Sequence, residues 1–315
     1  MSLLEVSDLV VSYPIRKRFL RPNIYLDAVD RVSFEMSEGE TFGLVGESGS
    51  GKSSIGRSIL GLEKFNKGSI TLDGEKYGYD NQKRSQHFKR NVQMIFQNSY
   101  SSFNPKKKIL DIITEPLKNL TSLTLQDQRK RAIELLEIMK LSESDLEKFP
   151  DEFSGGQLQR IGVARAVATN PKLIIADEPV SALDLSVQAE VLNYMKLIQV
   201  EYKVSYLFIS HDLSVVQHMC DQLAIMHKGR FVEMGSREAV YNNSTHIYTK
   251  QLLAAVPGSL SNDELDKRAS VFAEYQQSKN NMYNQNGRVH DLYRLSENHL
   301  VSGKTEDKLD ERAFK

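Results

Sequence analysis

The chain has 315 residues, with 41 lysines and arginines balanced by 41 aspartates and glutamates, and a single cysteine, Cys220. That length accommodates one large domain with an appendage. The balanced charge speaks against nucleic acid as a partner, and one cysteine excludes an internal disulfide, a cysteine-only zinc site and a four-cysteine iron–sulfur cluster. No stretch approaches the roughly 18 uninterrupted apolar residues of a membrane span. The start, Met1-Ser2-Leu3-Leu4-Glu5-Val6, lacks the basic residues and apolar run of a secretory signal. The expectation is a soluble intracellular chain in a reducing compartment, with Cys220 a buried small apolar residue and membrane association supplied only by a partner.

In chain order, residues 3–12 alternate in polarity as a strand does, and 32–36 form another strand before the turn Ser37-Glu38-Gly39-Glu40. Residues 41–45 are a short apolar strand running into Gly46-Glu47-Ser48-Gly49-Ser50-Gly51-Lys52-Ser53, which fits the phosphate-loop pattern G-x-x-x-x-G-K-[ST]. The strand before it and a helical pattern at 53–62 after it give the motif the context it requires. Its glycines allow close backbone approach, so N–H groups can wrap phosphates. Lys52 reaches the outer phosphates, Ser53 offers a hydroxyl to magnesium, and Ser54 can add a phosphate hydrogen bond. A Gly/Ser turn with an incidental lysine is the alternative, and both flanks argue against it. Further strands read at 69–72, after the Lys67-Gly68 turn, and at 92–96, which leads to Gln97, a residue able to bind magnesium or the attacking water.

From about 98 to 170 the strand signal vanishes and helical patterns dominate, among them 125–140 and 157–168. This reads as a helical subdomain inserted into a sheet domain. Within it, Ser154-Gly155-Gly156-Gln157 opens a helix: Ser154 can cap it, and the glycines and free N–H groups make a second anion site. Two such helix starts either grip one nucleotide from two sides or share two nucleotides with a partner.

Residues 173–176 and 206–209 are continuously apolar, as expected of parallel strands covered on both faces. The first ends in Asp177-Glu178, and ligands of such sheets sit beyond the carboxyl ends of the strands. Asp177 suits magnesium, directly or through water, and Glu178 is placed to polarise an attacking water. The second ends in Ser210-His211-Asp212, which puts His211 on the same edge; taken alone it would be an ordinary surface or core histidine. With helices at 187–201 and 213–220, the alternation of strands and helices argues for an α/β fold with a parallel core sheet. Beyond Pro257 the chain turns polar. There Asn286-Gly287, flanked by Met282-Tyr283 and Val289, is either a hairpin turn or part of a partly disordered surface tail.

Taken together, these elements resemble the nucleotide-binding subunit of ABC transporters. The order is that family's: Tyr13, the phosphate loop at 46–53, Gln97, Ser-Gly-Gly-Gln at 154–157, Asp177-Glu178, Ser181-Ala182-Leu183-Asp184 and His211. The resemblance covers about residues 3–257 and is specific, because a phosphate loop alone occurs in many folds whereas Ser-Gly-Gly-Gln in this order marks the family. It implies a P-loop NTPase cassette with a mixed β-sheet core: an ATP-binding domain over 1–257, its helical subdomain at about 98–170, and a C-terminal extension over 258–315, partly ordered or hairpin-containing. It implies ATP and Mg2+ as cofactors, Tyr13 stacked on adenine, Glu178 as general base, His211 on the γ-phosphate, and Ser53, Gln97 and Asp177 around the metal. Subunits of this family pair head to tail, so residues 154–157 of one chain complete the ATP site around Lys52 of the other. Asp184 lies in the loop that communicates across that dimer. Phe153 stands where leucine is more usual and Ser54 where threonine is commoner, both mild departures.

A closer resemblance is to the ATP-binding subunits of oligopeptide and dipeptide importers, a pattern shared with nickel importers. It is carried by Ala28-Val29-Asp30, the long stretch 14–25, residues 97–105 (Gln97-Asn98-Ser99-Tyr100-Ser101-Ser102-Phe103-Asn104-Pro105), and residues 245–257, where Ile247 replaces the usual proline. Such importers use two different ATPase subunits, one of which often carries a cysteine cluster; this chain resembles the other. The implied partners are a second ATP-binding subunit, two membrane permease subunits and, indirectly, an extracytoplasmic solute-binding protein, with no nucleic acid. The implied location is peripheral, on the cytoplasmic face of a bacterial-type membrane. An ABC ATPase acting on nucleic acid or ribosomes usually carries two cassettes, a long coiled coil or zinc-binding cysteines, which this sequence lacks. The basic clusters Arg16-Lys17-Arg18 with Arg21, and Lys106-Lys107-Lys108, read as solvated faces or as contacts with acidic headgroups or a permease loop.

Overall fold

Apolar runs without alternation must be covered on both faces, and here they form the centre of the molecule. The structure is a computed structural model that describes residues 2–16, 24–80, 83–97, 102–256 and 262–303. Strands β3 (Thr41–Val45), β7 (Leu173–Asp177) and β8 (Ser205–Ser210) are buried along their whole length. They lie in an eight-stranded sheet with β6 (Val92–Ile95), β9 (Gln222–His227), β10 (Arg230–Ser236), β11 (Leu292–Ser296) and β12 (His299–Ser302), in the order β11-β12-β10-β9-β3-β8-β7-β6. The five strands from β9 to β6 are parallel, whereas β10, β12 and β11 add antiparallel partners at one side. The sheet is therefore mixed, with the parallel core that the apolar runs suggested.

Register sets up the site. Val45 pairs with Ser210, Asp177 with Ile209, and Ile95 with Ala176. The carboxyl ends of β3, β8, β7 and β6 are thus nearly level, and the residues following each strand emerge at one edge.

A second, antiparallel sheet packs on one face of the first. It consists of β1 (Ser2–Arg16), β2 (Ile24–Ser37), β4 (Lys67–Leu72) and β5 (Glu75–Gly78), in the order β2-β1-β4-β5. Strands β1 and β2 run well past the expected 3–12 and 32–36. Their outer ends carry exposed side chains such as Ile15 and Tyr25, so hydrogen-bonded pairing rather than polarity defines them there. Between the sheets lies α1 (Lys52–Leu60), whose Ile55 and Ile59 join Ile70, Ile175 and Ile209 in one core cluster.

Helices cover the other face. After α2 (Gln86–Asn91), the described residues between 102 and 172 hold no strand, only helices and turns: α3 (Ile109–Leu120), α4 (Leu125–Ile138) and α5 (Gly155–Val167) with short 3-10 segments. They share a second core with α6 (Leu185–Tyr202) and α7 (Leu213–Met219). Cys220 is fully buried there, and burial raises its thiol pKa well above the ordinary value.

The region after β10 departs most from the sequence reading. It contains α8 (Arg237–Asn242), α9 (Ile247–Ala255) and α10 (Asn262–Ser278), followed by the β11–β12 hairpin, which adds to the central sheet through β12 and β10. Over 262–303 the chain is thus structured, where a partly disordered tail was one of the two expectations. At Asn286-Gly287 there is a tight turn, with the Gly287 N–H donating to Asn284 O at 2.9 Å and a single Tyr283–Val289 bridge closing it. The longer hairpin comes later, and its buried face explains why polarity hid it. Besides Val301 it buries His299 and Ser302, which satisfy their polar atoms on Glu233 and on the His290 carbonyl.

Candidate active site

The phosphate loop follows β3 directly. At Gly51 the backbone has φ +110, and an added Cβ would sit 2.1 Å from Ala28 O, so only glycine fits. Lys52 is 4% exposed, and its Nζ donates to Gly46 O and Glu47 O at 2.8 Å each. Burial lowers its pKa, and the nearby Glu178, Asp177 and Glu47 charges oppose that shift. The ammonium is therefore curled inside its own loop, at the start of α1, where helix N–H groups favour an anion.

Next to it, Ser53 Oγ donates to Asp177 Oδ1 at 2.8 Å. Asp177 is 6% exposed; burial raises its pKa, against the Ser53 hydrogen bond and the Arg57 and Lys52 charges. Glu178 follows with φ +48, a left-handed conformation uncommon for a non-glycine residue. Its N–H donates to Ile209 O at 2.9 Å, which ties this turn to β8. The carboxylate is held from two sides: Gln97 Nε2 donates to Oε2 at 2.9 Å, and His211 Nδ1 lies 3.1 Å from Oε1. Three residues separated by 81 and 33 positions in the chain thus meet because β6, β7 and β8 end level.

Gln97, Glu178 and His211 line one cavity of about 660 Å³, together with Tyr13, Leu26, Ala28, residues 47–49 and 51–54, and Leu252, with Asp177 behind Ser53. Tyr13 is 39% exposed, and its hydroxyl sits 2.9 Å from Ser54 Oγ, so in this structure Ser54 faces the tyrosine. Leu26, Ala28 and Leu252 were missed by sequence reasoning. Leu26 enters because it pairs with Tyr13 across β1 and β2, and Leu252 because α9 folds back over the loop. A lone leucine carries no sequence signal for either placement.

Residues 154–157 and Asp184 do not line this cavity. Ser154 caps α5: its Oγ accepts the Gln157 N–H at 3.3 Å while Gln157 Oε1 accepts the Ser154 N–H at 2.9 Å, the reciprocal pattern of a capping box. Ser154 and Gly155 are exposed. A Cβ on Gly156 would come within 2.4 Å of Val187 Cγ1, so glycine lets α5 begin against α6. Asp184 caps α6, accepting from the Val187 N–H at 3.0 Å and from Ser186 Oγ at 2.6 Å, and these hydrogen bonds lower its pKa. The second anion-type loop and the Asp184 turn therefore abut each other on the surface, apart from the cavity.

The Lys106-Lys107-Lys108 cluster is partly neutralised, with Lys107 on Glu115 and Lys108 on Glu147, both at 2.9 Å. Lys17, Arg18 and Arg21, residues 98–101 and Pro257 lie outside the described residues, as does the Arg16 side chain.

Comparison with known proteins decides the family. The profile of the family described as ABC transporter matches residues 29–181. The chain is 49% identical over 304 residues to the oligopeptide transport ATP-binding protein OppF of Lactococcus lactis, covering 95% of each chain. This chain belongs to the ABC transporter family. It is likewise 41% identical to the dipeptide transport ATP-binding protein DppF of Escherichia coli, over 86% of this chain and 81% of that one. Among solved structures, a dimeric ATP-binding cassette in a post-hydrolysis state bound to ADP and Pi superposes with a TM-score of 0.65, over 74% of this chain and 98% of that one. At 24% identity that likeness speaks to the fold. The chain is thus an ABC ATPase with a nucleotide-binding cassette, and its relatives are ATP-binding subunits of transport systems. No helix among the described residues is long and apolar enough to cross a membrane.

Proposed function

We propose that the chain is the ATP-hydrolysing subunit of an importer, energising uptake of oligopeptides or dipeptides through a separate membrane permease. The observation that carries this reading is the near full-length likeness to an oligopeptide transport ATP-binding protein. The chemistry is that of a water attacking the γ-phosphate. Glu178, oriented by Gln97 and His211, takes the proton of that water. Lys52 and the N–H groups of the phosphate loop hold the phosphates against the developing charge. Tyr13 and Leu26, adjacent across the strand pair, offer a surface for the adenine. The Ser53 hydroxyl, the Asp177 carboxylate and the Gln97 side-chain carbonyl are the hard oxygen donors that suit Mg2+, which would neutralise phosphate charge when bound. Asp177 and Ser53 already share a hydrogen bond at this position.

Pairing follows from what the cavity lacks. Residues 154–157 form an exposed anion-type helix start away from it, so a second ATP-binding subunit, docked head to tail, supplies the missing wall, with Asp184 in the joining loop. Two permease subunits and an extracytoplasmic solute-binding protein complete the assembly at the cytoplasmic face of the membrane. The decisive experiment is uptake of labelled oligopeptides, dipeptides and nickel by cells lacking the chain. Peptide uptake is expected to be lost and nickel uptake kept. Retained peptide uptake with lost nickel uptake overturns the peptide assignment.

A further inference from the structure

Helix α9 and the segment after it reach back to the phosphate loop by three routes. The first runs through Tyr248, which is fully buried. The Glu47 N–H donates to its hydroxyl at 3.4 Å, while Glu47 O accepts from Lys52 Nζ at 2.8 Å. One peptide of the loop is thus held from outside by Tyr248 while Lys52 leans on it from inside. Tyr248 does not line the nucleotide cavity, so this N–H is turned away from the ligand and needs a protein acceptor. The Tyr248 ring packs on His227, with centroids 4.2 Å apart, and His227 Nε2 lies 2.8 Å from the hydroxyl of Tyr283.

The second route is Glu233, fully buried in β10. It accepts the Thr245 N–H at 2.8 Å and the His246 N–H at 3.3 Å, and lies 2.7 Å from His299 Nε2. The C-terminal hairpin therefore clasps the carboxylate that holds the start of α9, two residues before Tyr248. The third is Arg288, which donates to Asp27 at 3.0 Å and to Asp30 at 3.3 Å. Those aspartates flank Ala28, whose carbonyl backs Gly51.

We propose that residues 282–302 brace the ATP site, with Tyr248 and Tyr283 as positioning residues that hold the Glu47 peptide in the form that grips the phosphates. The benefit is preorganisation: a loop already fixed loses less freedom when ATP binds. This rests on the reading of residues 46–53 as the ATP site.

The test uses Tyr248→Phe, which keeps the ring and removes the acceptor. Binding of a fluorescent ATP analogue to the full chain is expected to weaken roughly fivefold, the worth of one hydrogen bond. In the assembled transporter, KM for ATP rises while kcat stays within about twofold, as for a binding contact kept through the reaction. Tyr283→Phe gives a smaller rise in the same direction, and Arg294→Ala, an exposed change on β11, gives none. An unchanged affinity in Tyr248→Phe overturns the proposal, as does a fall in kcat at constant KM. If the unaltered chain fails to bind ATP, the reading of the site falls instead.

Discussion

At the scale of single residues, the proposed hydrolysis places the greatest chemical demand on Glu178. Its left-handed backbone and its N–H bond to Ile209 O turn the carboxylate toward Gln97 and His211. A general base contributes about 10²–10⁴-fold to rate, whereas its loss leaves the contacts of Lys52 and the loop amides to the phosphates in place. Glu178→Gln is therefore expected to bind ATP with near-normal affinity and to lose at least a hundredfold in turnover, accumulating a closed dimer. Phosphate release measured beside nucleotide binding checks this, and normal hydrolysis by the variant removes Glu178 from the base role. Asp177, Glu178 and His211 were legible in the sequence because each ends or follows an apolar run, where polarity declares a strand end, and Lys52 because it holds a fixed place in the phosphate-loop pattern. Leu26 and Leu252 were not, since what brings them to the cavity is a cross-strand pair and a helix return.

At the scale of elements, α9 depends on a neutral cap. His246 Nδ1 accepts the Tyr248 N–H at 3.2 Å, and burial depresses the pKa of His246, and of the neighbouring His227, to about 4. An ordinary histidine titrates near 6.5, so between these values the unfolded chain binds more protons than the folded one. Stability then rises with pH across this window. The contribution is fully present above about 6.5 and is lost as pH falls through about 4. The thermal midpoint is expected to drop between pH 7 and pH 5, and His246→Asn, a good helix cap that does not titrate, should flatten part of that slope. Calorimetry of both proteins across this range measures it; parallel slopes would contradict the assignment. The element itself lay inside the stretch 245–257 that marked the importer resemblance. Its contact with the phosphate loop was invisible, because Tyr248 and Glu47 are 201 positions apart.

At the scale of the whole molecule, the proposed pairing assigns residues 154–157 to a second chain's site. The capped start of α5 is exposed and lies apart from the cavity around Lys52. Ser154→Arg should leave ATP binding by the isolated chain unchanged, within about twofold, and abolish hydrolysis by the assembled pair. Loss of binding in the isolated chain would instead put residues 154–157 in their own chain's site. By itself the sequence determined the α/β core, the phosphate-loop pattern, the acidic strand end and the helices at 125–138 and 155–167, since these follow from apolar runs and from local patterns at fixed spacing. Only the tertiary structure decided that Gln97 and His211 converge on Glu178, that α10 packs on α9, that a hairpin of mostly polar sequence extends the central sheet, and that this hairpin is tied to the phosphate loop. The reason is physical: burial of apolar side chains leaves a periodic trace along the chain, whereas hydrogen bonds between buried polar groups such as Glu233 and His299 leave none until the fold brings them together.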